Sequence, residues 1–183
     1  AIVAGKAPVN ACPVGGAAVA KVVAGVMGET VSDEGRKVAF VHCGGDCNKA
    51  KTDYVYTGLQ DCSMMAFVPD GGPKVCEFGC LGFGSCAKAC KFGAITVSNG
   101  IAKVDKELCK GCGACTRVCP NHLIEMVPHD GSPIHVVCSS KEKGKVAMQS
   151  CDAACISCKK CEKNCPSEAI HLVDNIPVID YDK

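Results

Sequence analysis

The stretch CKGCGACTRVCP, residues 109–120, carries four cysteines separated by two, two and three residues, with a proline directly after the last. This is the bacterial iron–sulfur run, in which the fourth cysteine ligates a different cluster from the first three when two clusters are present. A second run of the same form, CISCKKCEKNCP, occupies residues 155–166. A cubane cluster needs four sulfur ligands about its corners. Cysteines two residues apart on a tight loop reach three of them while backbone N–H groups point at the sulfides, and Gly111 and Gly113 let that loop come close. Proline after the run turns the chain and offers no competing N–H. Zinc sites favour paired, separated knuckles, so the spacing speaks for 4Fe–4S clusters over a zinc-stabilised interaction module.

Composition agrees. The chain has 183 residues and 18 cysteines but no Trp, five Phe and three Tyr, so its apolar core is small and calls for some other staple. Disulfides suit short secreted chains; here no signal-peptide pattern is seen and the cysteines fall in tight metal-type runs. Thiolate ligands must stay reduced, which points to the cytosol or a cytosol-facing surface. The net charge of +1 is uninformative by itself. Lys88, Lys91, Lys103, Lys106, Lys110, Lys159, Lys160 and Lys163 lie near cysteines and read as a solvated face offsetting cluster charge, with a docking surface for an acidic redox partner as the functional reading. No aromatic-interleaved basic stripe suggests nucleic acid. The longest apolar candidate, VGGAAVAKVVAGVMG at 14–28, is short, Gly-rich and broken by Lys21; it reads as a small-residue helix packed on the rest, not a membrane span.

Sliding the chain along itself exposes an internal repeat with an offset of 75 residues. Cys76, Cys80, Cys86 and Cys90 align with Cys151, Cys155, Cys161 and Cys165, while Phe83 stands where the second copy has Cys158. Upstream, KVAFVHC ending at Cys43 resembles SPIHVVC ending at Cys138 more loosely. After each run come two short alternating stretches, AITVSNGIAKVD around Asn99-Gly100 and AIHLVDNIPVID around Asp174-Asn175, which read as hairpins. The repeat also predicts a further cysteine after Lys183. The expected fold is α+β: tandem ferredoxin-like modules, each for two 4Fe–4S clusters, with short β-hairpins, short helices and much loop.

The short, hairpin-filled gap between Cys90 and Cys109 favours one cluster on Cys90, Cys109, Cys112 and Cys115. A second is expected on Cys80, Cys86 and Cys119, with Cys76 as fourth ligand in place of the missing cysteine at Phe83. Pairing Cys119 with the Cys155 run, and Cys165 with the Cys109 run, is the alternative, over a longer gap. Cys43, Cys47 and Cys62 are expected to hold another cluster with Cys76 or Cys138 as fourth donor. Cys155, Cys158 and Cys161 form one more, completed by Cys119, by Cys151 or by a residue outside the chain. That makes about four 4Fe–4S clusters, with Cys165 also among the candidate ligands. His42, His122, His129, His135 and His171 form no metal pair and read as surface or loop residues. No phosphate-cradling or dinucleotide motif is present.

Taken together, AIVAGKAPVNACPVGG, CGGDCNKAKTDYVYTGLQDC, KVCEFGCLGFGSCAKAC and CISCKKCEKNCPSEAI resemble the B subunit of the Rnf complex, an ion-translocating ferredoxin:NAD+ oxidoreductase, over essentially the whole chain. The resemblance implies that electrons arrive from reduced ferredoxin and pass along several clusters toward other subunits of a membrane redox complex, which carry the NAD and flavin chemistry. It also implies a location on the cytoplasmic face of the cell membrane, peripheral or anchored by a helix upstream of Ala1, and makes Cys12 the last ligand of an N-terminal cluster domain. The corresponding layout is a remnant of that domain with the small-residue helix at 1–35, a Cys-containing strand and loop module at 36–75, a two-cluster module at 76–128, and a second module, apparently cut at its C-terminal end, at 129–183. A soluble polyferredoxin shuttling electrons between oxidoreductases is the alternative function.

Overall fold

A computed structural model describes residues 1–12, 14–31, 35–129 and 134–183. The sheets are all small and antiparallel. Asn99 and Gly100 both take positive φ, 52° and 71°, the backbone a two-residue hairpin turn requires. They join β2 (Ile95–Ser98) to β3 (Ile101–Val104), with Ile95 opposite Val104 and Ser98 opposite Ile101. Asp174 and Asn175, at φ 48° and 67°, do the same for β5 (Ile170–Val173) and β6 (Ile176–Ile179). Both expected hairpins are therefore present, and with the short helices they make an α+β ferredoxin-like fold.

The third sheet joins distant parts of the chain. β1 (Lys37–Val41) pairs with β4 (Ile124–Pro128), Val38 facing Val127 and Val41 facing Ile124. Val38 and Val127 are both 0% exposed and, with Leu123, Ile124, Ile95 and Ala102, form the core on which Cys86, Cys109 and Cys115 rest. This pairing crosses the boundary expected at 75/76, because the apolar face of β1 is covered by residues beyond 120. Arg36 strengthens the closure, donating from Nη2 to the carbonyls of Lys106, Glu107 and Cys109 at 2.7–3.0 Å.

Two five-residue helices, α2 (Ser85–Ala89) and α3 (Ala114–Val118), follow the first cysteine loops and pack on each other. Further along lie α4 (Gly144–Ser150) and α5 (Lys160–Lys163). The expected small-residue helix is α1 (Gly16–Met27), ended by Gly28 at φ 71°. Its packing is narrower than expected: Ala20 and Ala24 are buried, whereas Val22 and Val26 are 68% and 81% exposed. Among the described residues no helix is long and apolar enough to cross a membrane. In the SPIHVVC stretch, residues 132 and 133 lie outside the described residues and 134–138 form no strand. Pro13, quoted beside Cys12, is also outside them.

Candidate metal centres

Three groups of four cysteines each line a void of their own. Cys90, Cys109, Cys112 and Cys115 surround a small space of about 10 Å³ walled by Ala39, Phe92, Ile95 and Met126. Burial pushes the Cys115 thiol up to about 11, and the neighbouring Cys109, Cys112 and Cys90 add to this. Ala39 N–H donates to Cys109 Sγ at 3.4 Å, so β1 presents a backbone dipole to this group. Gly111 holds φ 67°, and a Cβ there would stand 2.5 Å from the Lys37 carbonyl oxygen; only glycine lets the loop lie this close to β1.

Cys80, Cys86 and Cys119 line a second void, a small one of about 20 Å³, and its fourth cysteine is Cys62, not Cys76. Burial pushes the Cys86 thiol up to about 12, with Cys80, Cys62 and Cys119 contributing further. The cause of this difference from the sequence expectation is a local network. Asp61 Oδ1 accepts from Ser63 N at 2.9 Å and from Ser85 Oγ at 3.1 Å, while Ser85 Oγ accepts from Cys62 N at 2.8 Å. A 3-10 turn, Cys62–Phe67, is thereby clamped to the start of α2, one residue before Cys86. Phe83 is occupied elsewhere, packing edge-on against Tyr56 at 5.4 Å. Cys119 is brought in by Asn121, whose Nδ2 donates to the carbonyls of Glu77 and Gly79 at 2.9 and 2.8 Å.

Cys76 instead joins Cys43, Cys138 and Cys151 around a third small void, of about 20 Å³. Burial raises the Cys76 thiol, and Cys43, Cys138 and Cys151 reinforce it. This group consists of two pairs that the repeat relates, Cys76 with Cys151 and Cys43 with Cys138. The strands of chain carrying them are stitched together: Gly44 N donates to Val137 O at 2.7 Å, Lys51 N to Ser150 O at 3.0 Å and Asp152 N to Lys49 O at 2.9 Å. Cys80 N–H donates to Cys43 Sγ at 3.3 Å, so this group abuts the second. Cys43, Cys47 and Cys62 are therefore not gathered: they go to the third group, to none and to the second.

Cys47 is exposed, its N–H held by the Asn99 carbonyl at 2.9 Å. Cys12 is exposed as well. Cys155 lies in the electrostatic reach of Cys138, Cys161 and Cys158, and burial raises its thiol. Cys165 stands apart from the Cys109 group; hydrogen bonds from Ser167 and Ala169 lower its thiol. Among the described residues no group of three His, Cys, Asp or Glu could hold a single metal ion.

Two of the histidines expected at the surface or in loops lie in loops and are half-buried. His42 Nδ1 lies 2.8 Å from the Val136 carbonyl, and Nε2 is 3.1 Å from Glu125 Oε2. His135 packs on the Phe40 ring at 4.2 Å and meets Tyr181 Oη at 2.9 Å. Lys74, two residues before Cys76, is not among the residues the sequence singles out. It is buried, and its only sequence signal is proximity to a ligand-type cysteine.

The donor chemistry fits 4Fe–4S clusters. Four thiols crowded in an apolar pocket resist ionisation, and a cationic metal–sulfide core reverses that balance by taking them as thiolates. Comparison with known proteins gives the same answer. Residues 108–169 match the 4Fe-4S dicluster domain. The chain is 43% identical over 183 residues to the B subunit of the Na(+)-translocating ferredoxin:NAD(+) oxidoreductase complex of Acetobacterium woodii, covering 100% of this chain and 54% of the relative. It is 41% identical over 184 residues to the B subunit of the ion-translocating oxidoreductase complex of Methanosarcina acetivorans, covering 69% of that protein. The chain belongs to the family of B subunits of ion-translocating oxidoreductase (Rnf) complexes. A third relative, the B subunit of the proton-translocating ferredoxin:NAD(+) oxidoreductase complex of Clostridium ljungdahlii, is 44% identical over 94% of this chain and 61% of its own length. This Rnf family member thus spans about half to two thirds of the length of these relatives.

Proposed function

We propose that the chain relays electrons from reduced ferredoxin, through about four 4Fe–4S clusters, to other subunits of a membrane-associated ion-translocating ferredoxin:NAD+ oxidoreductase, on the cytoplasmic face of the membrane. The observation that carries the reading is the sorting of twelve cysteines into three groups of four, each around its own void. In this reading one cluster is held by Cys90, Cys109, Cys112 and Cys115, a second by Cys62, Cys80, Cys86 and Cys119, and a third by Cys43, Cys76, Cys138 and Cys151. Cys155, Cys158 and Cys161 hold a fourth with a ligand outside these groups. We read this as a tandem two-cluster arrangement: residues 76–128 with β1 and the Cys62 turn form one unit, 129–183 belong to the next, and the third group bridges them.

Bound 4Fe–4S clusters supply one-electron transfer, at potentials on the order of −400 mV. The protein's part is to hold and insulate. Backbone donors at Ala39, Cys80, Ala102 and Leu123 point at Cys109, Cys43, Cys80 and Cys119 sulfurs at 3.3–3.5 Å, which disperses thiolate charge and favours the reduced state. The apolar walls exclude water. Cys119 and Cys90 cross over between the first and second groups, so these two neighbouring sites of one unit are braced by the chain itself. Anaerobic purification with iron and acid-labile sulfide counts tests the reading: about sixteen irons with matching sulfide supports it, and zinc without sulfide overturns it. Cys119→Ala adds a finer test. It should damage the Cys80–Cys86 signal and spare that of Cys109, Cys112 and Cys115.

A further inference from the structure

We propose that Lys74 is a positioning residue of the relay, its buried ammonium lying between the Cys43–Cys76–Cys138–Cys151 and Cys62–Cys80–Cys86–Cys119 groups and raising the reduction potential of both. The inference rests on the cluster assignment above and deepens it.

Lys74 is 7% exposed and is the only charged side chain buried among the described residues. Its Nζ donates to the carbonyl of Gly45 at 3.0 Å and to that of Gly100 at 2.8 Å. Those two carbonyls belong to different sites. Gly45 lies on the Cys43 group, where an added Cβ would stand 3.1 Å from Cys151 Sγ and 3.7 Å from Cys43 Sγ. Gly100 is the turn of the β2–β3 hairpin, whose Ala102 N–H donates to Cys80 Sγ at 3.5 Å. Lys74 itself lines the void of the Cys43 group, and its charge favours the Cys80 thiolate. The backbone on either side is pinned, Thr52 bridging to Lys74 and Val75 N donating to Lys51 O at 3.0 Å.

A buried ammonium held by two neutral carbonyls is left without a counter-charge, and such burial is costly unless the charge is paired. Among the described residues no carboxylate forms an ion pair with Lys74. The negative charge that pairs it is supplied by the thiolates on its two sides. Four thiolates about an oxidised cubane leave a net charge of about −2, and the reduced site carries about one unit more. An unscreened positive charge therefore stabilises the reduced form more than the oxidised, and the potential rises. The electron comes from a one-electron iron–sulfur donor and passes to the next site; Lys74 supplies its field alone, with no bond made or broken. Among the described residues the Cys90 group has no buried cation beside it: Arg36, which donates to the Cys109 carbonyl at 3.0 Å, and Lys110 are both exposed, where water and salt screen their charge.

The test is an EPR-monitored potentiometric titration of the anaerobically purified, cluster-loaded protein, with signals assigned by single Cys→Ser variants of each group. Iron and sulfide are counted first, so a failure of the cluster assignment is seen separately from a failure of this inference. Lys74→Gln and Lys74→Met should lower the midpoints of the two flanking sites by at least the tenfold shift in one-electron equilibrium that corresponds to 59 mV. The Cys90-group midpoint should stay unchanged, and Lys74→Arg should retain wild-type midpoints. Should Lys74→Met fail to load, the Gln and Arg pair decides. The proposal is overturned if loaded Lys74→Gln keeps its midpoints, if all three sites shift alike, or if Lys74→Arg shifts as far as Lys74→Gln. Loss of iron in every variant also overturns it, leaving Lys74 a purely structural strut.

Discussion

Cys62 and Cys76 compete for one role in the sequence, and the geometry separates them into different groups. A double-mutant cycle on iron content turns that separation into numbers. Cys62 is 8% exposed, and truncating it or Cys76 to Ala removes one sulfur, a group whose burial is worth about 1 kcal/mol in the apoprotein. That is too little to unfold the chain, so the loss read is of iron. An emptied site costs about four irons, and a site kept as a three-iron remnant costs about one. If the two cysteines serve separate sites, the losses in Cys62→Ala and Cys76→Ala add in the double variant. If they served one site, the same single EPR signal would be affected in all three variants, and the double variant would lose at most that one site's four or so irons. Iron and sulfide analysis read beside EPR gives the result. A double variant indistinguishable from Cys76→Ala, with the same EPR signal missing in both single variants, would refute the grouping.

Three further outcomes are expected. Gly111 and Gly113 share φ 67°, but only at Gly111 would a Cβ meet backbone, 2.5 Å from Lys37 O; at Gly113 the nearest atom is a side-chain oxygen at 3.8 Å. Both Ala variants lose the roughly 1–2 kcal/mol of a left-handed residue, and Gly111→Ala should also release iron from the Cys90 group, which chelator-challenge kinetics would detect. Cys165→Ala should leave the EPR signals of all three four-cysteine groups unchanged, because Cys165 is in none of them; loss of the Cys109–Cys112–Cys115 signal would restore the alternative pairing. Burial, then the charges of Lys106 and His42, hold His135 below the usual histidine range. The unfolded chain therefore takes up the proton first, so this contribution is present above about pH 6.5 and is lost as pH falls from there toward the folded value. Urea unfolding midpoints of the wild type should drop across that window more than those of His135→Gln, and equal drops would sink the assignment.

What could be read from the chain itself is what depends on local spacing. The run at 109–120 specifies a cluster loop because three thiols two residues apart need only one tight turn to converge. Asn99-Gly100 and Asp174-Asn175 specify hairpins because their backbones tolerate positive φ. The repeat revealed that Cys76 and Cys151 are equivalent positions, and with it the family resemblance. Tertiary structure decided which cysteines come together from afar. Nothing local distinguishes Cys62 from Cys76 as the substitute at Phe83; the choice is made by Asp61 and Ser85, 24 residues apart, whose hydrogen bond clamps the 3-10 turn to α2. Nothing local pairs Cys43 with Cys138, or β1 with β4, because those contacts exist only once the Val38–Val127 core has formed. Lys74 was silent for the same reason: a lysine is exposed by default, and only the folded chain reveals that this one is enclosed between two sets of thiols.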